Sequence, residues 1–196
     1  MFIGHPPIVP AAARLHRQDI EQLGFVMNLT RLWAWRPETY EAFVALRNTV
    51  MEASTLTARE FAVLVCATAG SLGDSYCALA WGRKLADKSD ASVAQAVLRE
   101  LPCEALSRRE EALADWARQV VRDPNRTTPG QVDALRAVGL DDREIFDATL
   151  FTSLRLAFST VNDALGVPPD WQVAEAAPVE VSEAVRFGRL PDQRVA

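Results

Sequence analysis

The stretch Leu56–Leu85, LTAREFAVLVCATAGSLGDSYCALAWGRKL, reads as two helices joined by a tight turn. Thr57 and Glu60 have the T-x-x-E spacing of a capping box, in which hydroxyl and carboxylate each satisfy a backbone N–H that the first helical turn leaves open. Phe61, Leu64, Val65 and Thr68 then fall on one face at helical spacing. The run Gly-Ser-Leu-Gly stops this helix, and the next opens on Asp74-Ser75-Tyr76-Cys77. Trp81 and Leu85, four and eight residues beyond Cys77, share its face.

Outward from this hairpin, helix follows helix. A helix is expected from Pro10 to about Leu23, stopped by Gly24, with Phe25 to Asn28 as a turn. Asn28 is placed to cap a short helix through Trp35, and Pro37 suits the first turn of another that ends near Met51. Downstream, Ser107 with Glu110, Thr128 with Gln131 and Asp141 with Glu144 repeat the capping-box signal, while Gly139 and Gly166 fit helix stops. No run alternates apolar and polar residues long enough to argue a sheet, so the fold class is all-α. LTAREFAVL at 56–64 and LDDREIFDA at 140–148 both set Arg-Glu ahead of an apolar helix, the mark of a duplicated helical unit. Beyond Gly166 the chain is rich in proline and charge and poor in core residues. A helical domain over 1–167 and a C-terminal arm over 168–196 are expected.

Composition excludes several classes of function. The 196 residues are 49% hydrophobic and 24% charged, an ordinary globular balance. A net charge of −5 offers no broad basic face for nucleic acid or an anionic membrane. No apolar run is long enough to span a bilayer, and the opening MFIGHPPIVP lacks the layout of a secretion signal, so a cytoplasmic location is expected. Three cysteines, Cys66, Cys77 and Cys103, make no disulfide framework. Both histidines, His5 and His16, sit near the N-terminus away from any cysteine, so neither a metal nor another cofactor is expected. The aromatic-rich helices of Leu29–Met51 and the apolar helix of Asp141–Leu165 carry more apolar surface than one such domain hides, and a homo-oligomer is expected.

The hairpin resembles the redox cassette of the alkyl hydroperoxidase D-like and carboxymuconolactone decarboxylase-like superfamily. Redox-active members carry a glutamate on the first helix, then CxxC and a histidine four residues on. The leader LGFVMN, an aromatic-rich helix and RPE (Leu23–Glu38), with the ending VNDALGV (Val161–Val167), resembles the peroxidase-related branch. That resemblance implies an AhpD-like helical bundle and thiol-dependent reduction of a hydroperoxide, with an external thiol as reductant. The cassette positions here read Ala62, Asp74, Cys77 and Trp81.

The substitutions remove the parts that the chemistry uses. A CxxC pair at a helix N-terminus favours the thiolate and supplies a second sulfur to trap the sulfenic acid. Asp74 leaves Cys77 without that partner, Ala62 and Trp81 remove the two proton acceptors, and the sulfur is expected to face an indole and a leucine. Apolar surroundings and a nearby carboxylate both disfavour the thiolate. Cys77 remains the candidate catalytic thiol, and Tyr76, a half-buried neighbour, is a weaker candidate to donate a hydrogen bond to a ligand. Cys66, on the strip shared by Ala62 and Ala69, reads as a buried inert thiol, with a relocated redox partner or ligand-side group near Cys77 as the alternative, and Cys103 reads as incidental. Arg155 interrupts the apolar run FTSLRLAF and needs an anion; Asp147 or Asp74 is the expected partner, with an anionic ligand beside Cys77 as the alternative. Three classes of function stay open: a peroxidase or peroxiredoxin-type oxidoreductase working through Cys77, a non-catalytic ligand-binding or assembly protein, and a carboxymuconolactone decarboxylase-like enzyme.

Overall fold

A computed structural model describes residues 1–194, and among these the chain forms eleven α-helices, one short 3-10 turn and no strand. The hairpin of the sequence becomes α4 (Ala58–Leu72) and α5 (Ser75–Lys88). The Thr57–Glu60 box closes in both directions, and Gly73, at φ 81°, supplies the left-handed residue that ends α4. The amphipathic face expected for α4 widens to its whole circumference: every residue from Glu60 to Ala69 is buried. Helices α5, α6 (Ala91–Arg99), α7 (Arg108–Arg122) and α9 (Asp142–Ala164) enclose it. Gly70 allows one of these approaches, because a Cβ there would lie 2.4 Å from the Leu98 carbonyl oxygen.

The other three capping boxes also close, at α7, at α8 (Pro129–Ala137) and at α9. Two of the four boxes, those of α4 and α9, are tied together. Arg109 reaches Glu60 through Nε and Glu144 through a terminal nitrogen, each at 2.6 Å, and donates to the Gly139 carbonyl. One guanidinium therefore pins the N-termini of α4 and α9, the two segments whose sequences echo each other.

A second, smaller core joins α2 (Asn28–Trp33), α3 (Pro37–Ala53) and α9. Trp33 stacks on Phe158 with centroids 5.3 Å apart, and Tyr40 and Phe43 pack against the same ring. Three indole N–H groups find acceptors: Trp33 on Asn162, Trp116 on Thr149 and Trp35 on the Gly4 carbonyl. The cap expected of Asn28 is not made. Met27 is the N-cap residue of α2, and the Asn28 amide instead donates to the Pro168 carbonyl and to Asp192. Helix α1 (Pro10–Leu23) ends at Gly24 as expected and buries only Ala12 and Leu15.

The segment after Gly166 contributes more to the core than its composition suggests. It contains α10 (Trp171–Glu175) and α11 (Val179–Ala184), and α11 packs on α6 and α5 with Val181 wholly buried. Asp170 accepts from the Asn28 backbone, and Arg189 and Ser75 exchange hydrogen bonds at the start of α5. Among the described residues, no helix is long and apolar enough to cross a membrane.

Candidate functional site around Cys77

Asp74 is the N-cap of α5: its Oδ1 accepts the Cys77 backbone N–H at 2.9 Å. The residue that displaces the second sulfur therefore has a local task of its own, and the same carboxylate lies against the thiol it orients. Asp74 is fully buried and its Oδ2 finds no partner among the described residues. On α9, Asp163 feels this charge; burial, with Asp74 adding, pushes its carboxyl up to about 7, against the pull of Arg189.

Cys77 lies in the apolar core cluster with Leu85 and Trp81, as expected, but two polar groups that the sequence did not place there also reach its sulfur. Arg155, one turn above Ser159 on α9, donates to Sγ at 2.8 Å, and the Ser159 hydroxyl lies 3.6 Å from the same atom. Burial outweighs this help. It pushes the thiol up to about 12, with Arg155 opposing and Asp74 reinforcing the rise, so at neutral pH Cys77 is protonated.

Arg155 is buried, 3% exposed, and neither expected carboxylate serves it. Asp147 keeps a buried oxygen without a partner, Asp74 is engaged at the cap, and Arg155 forms no ion pair within the described residues. The reason is reach: α9 aims residue 155 across the bundle at α5, where the sulfur is the group it meets. Its guanidinium carbon stands 5.0 Å from the Phe158 ring centroid and 5.6 Å from that of Trp81, and its Nε is buried without an acceptor.

Tyr76 is fully buried, not half-buried, and its phenol donates to Asp170. Burial and the Asp170 carboxylate raise it far above the ordinary tyrosine range, so it is a neutral donor already in use. Cys66 is buried and, like Cys77 and the partly exposed Cys103, a free thiol; burial, with Cys77 adding, raises it well above its ordinary range. Ala62 lies in the main core. Among the described residues no group of His, Cys, Asp and Glu could hold a metal.

A cavity of about 550 Å³ opens above these residues, lined by Cys77, Tyr76, Trp81 and Arg155 and walled by Leu29, Phe158 and the 22–27 turn. Lys84 stands at its rim with Nζ 4.3 Å from the Trp81 centroid, and Arg47 of α3 enters from the far side. Sequence spacing pointed to Cys77 and Trp81 because they share one helix. Arg47 and Lys84 carried no such signal, since nothing local in α3 or on the outer face of α5 marks a cavity.

No protein-family model and no curated protein sequence matches the chain. Similar folds occur among solved structures. An uncharacterised peroxidase-related protein from Silicibacter sp. TM1040 superposes with a TM-score of 0.75 at 22% identity, over 86% of this chain and 91% of that one. A peroxidase-related protein with an alkylhydroperoxidase AhpD core, from Ralstonia eutropha JMP134, gives 0.73 at 24% identity over 96% of this chain and 100% of its own. A cysteine-to-alanine variant of the debrominase Bmp8 bound to 2,3,4-tribromopyrrole gives 0.70 at 13% identity, over 88% and 94%. The chain thus has the AhpD-like helical fold of peroxidase-related proteins, a fold also used for debromination.

Proposed function

We propose that the protein is a small-ligand-binding member of the peroxidase-related fold in which the two-cysteine hydroperoxidase cycle no longer runs. The observation that carries this reading is the company of Cys77: a capping carboxylate that favours the protonated thiol, a guanidinium and a hydroxyl, with Asp74 where a second sulfur would stand one turn away and an indole at position 81. A thiol pushed up to about 12 is almost wholly protonated at pH 7, and the thiol form reacts slowly with peroxide. Any sulfenic acid that formed would lack a resolving cysteine one helical turn away, where Asp74 stands. The cavity remains, and its mixed apolar and cationic lining suits a small organic molecule.

The test is consumption of cumene hydroperoxide with dithiothreitol by wild type, Cys77→Ser and the double variant Asp74→Cys/Trp81→His. Wild type should match Cys77→Ser, and the double variant should exceed both by roughly tenfold or more once a sulfur and an acceptor return. Wild-type turnover well above Cys77→Ser would overturn the reading.

A second reading is one-cysteine chemistry through Cys77 with an external thiol. The 2.8 Å contact from Arg155 favours it, because a guanidinium is the group that would hold a thiolate once formed, and the debrominase shows that this fold accommodates a halogenated aromatic. Self-association is proposed as well. Trp35, Leu46 and Phe146 are 44%, 47% and 64% exposed, and sedimentation at micromolar concentration should show at least a dimer.

A further inference from the structure

A guanidinium as deeply buried as that of Arg155 requires negative charge nearby. Its known contacts are a neutral thiol and two aromatic faces, and Nε has none. The imbalance extends around the cavity. Among the described residues Arg47 donates only to the side chain of its neighbour Asn48, at 3.2 and 2.8 Å, and Lys84 forms no ion pair. Desolvation, with Arg155 adding, holds Arg47 below its ordinary range, and desolvation, with Arg47 and Arg155 adding, does the same to Lys84, the electrostatic mark of positive charges crowded together.

The acids of the lining do not offset this. Asp19 accepts the Met27 backbone N–H, and Asp87, on the outer rim, lies 4.0 Å from Arg83. Three cations of α3, α5 and α9 thus face one cavity, none of them in an ion pair with a carboxylate of the described residues, and between them stands an apolar wall of Trp81, Phe158 and Leu29.

We propose that this cavity binds a small organic anion, its carboxylate or phosphate on Arg155 with Lys84 and Arg47 closing over it, and its flat apolar body against Trp81 and Phe158. The proposal rests on the reading of the cavity as a ligand pocket and adds the chemical class of the ligand. The anion would compete with Cys77 Sγ for the Arg155 donors. A bound anion therefore withdraws the stronger of the two groups that ease ionisation of the thiol, Arg155 and Ser159, and Cys77 should alkylate more slowly when the cavity is filled.

Three probes of similar body test this by calorimetry and Trp81 fluorescence: benzoate, phenyl phosphate and benzamide. Benzoate or phenyl phosphate should bind at least roughly tenfold more tightly than benzamide, the difference a charge-assisted hydrogen bond makes. The preferred anion tells which acid group the site takes. Arg155→Met should abolish that preference, and Lys84→Gln should weaken the anions several-fold while leaving benzamide unchanged. Should Arg155→Met not fold, Arg155→Lys with Lys84→Gln carries the same test, since both must weaken the anions more than the amide. Benzamide binding as tightly as both anions, or an anion preference that survives at residue 155, overturns the anion site and leaves the pocket standing. Failure of all three probes to bind overturns the pocket as well.

Discussion

Two arginines of this protein meet opposite circumstances. Arg109 joins two glutamates at 2.6 Å each, and both glutamates are already fixed in the capping boxes of α4 and α9. Arg155, more deeply buried, meets a thiol and two aromatic rings. The first charge is matched within the chain and holds two helices in register; the second is left with donors to spare beside a cavity. A buried cation alone therefore says little. Whether its surroundings answer it separates a structural group from a binding one.

The contrast can be broken most directly by truncation. Arg109→Met strands two carboxylates that are largely buried and should cost about 3 kcal/mol in chemical denaturation, toward the lower end for breaking a buried ionic network. An unchanged denaturation midpoint would show that Arg109 holds nothing in place.

The acid side of the stability profile sharpens the same point. Burial opposes ionisation of Glu144, but hydrogen bonds from Arg109, the Asp141 backbone and Thr55 prevail and hold it at about 2. A carboxylate held below its unfolded value of about 4.3 contributes stability that is present above that pH and is lost as pH falls toward 2. Roughly 2 kcal/mol of wild-type stability should vanish between pH 5 and 2 on this account, and Glu144→Gln should flatten that limb. Parallel acid limbs for the two proteins would contradict it.

Smaller effects belong to the Arg155 side. Asp74→Asn keeps an N-cap acceptor while removing the charge beside Cys77, so iodoacetamide should modify Cys77 up to roughly tenfold faster at pH 8, equivalent to one pKa unit. No acceleration would mean that burial alone governs the thiol. Smallest of all, Arg155→Met should change global stability by less than about 1 kcal/mol, because no carboxylate is left behind. A loss matching that of Arg109→Met would erase the distinction.

The fold was readable because its signals are local. Four capping boxes and the glycines after α1 and α4 each act within a few residues, and all appear where their spacing places them. Asn28 failed as a cap because residues more than 130 positions away, Pro168 and Asp192, compete for its amide. The site is built from such distant pairs. Arg155 visibly needed an anion, yet spacing along α9 could not tell that Cys77, 78 positions away, would stand where Asp147 or Asp74 was expected. Nor could the position of Tyr76 reveal that Asp170 already occupies its hydroxyl.

The hydrogen bond from the Cys77 amide to Asp74 also sets a condition on installing a cysteine pair at positions 74 and 77. A cysteine arriving at position 74 brings sulfur but gives up an N-cap acceptor worth about 1 kcal/mol to α5. That loss falls due at the first mutation. On the proposed reading a proton acceptor at position 81 is needed as well, so the first substitution alone would loosen α5 before any dithiol cycle could be gained, and Asp74 works as a latch on that helix start.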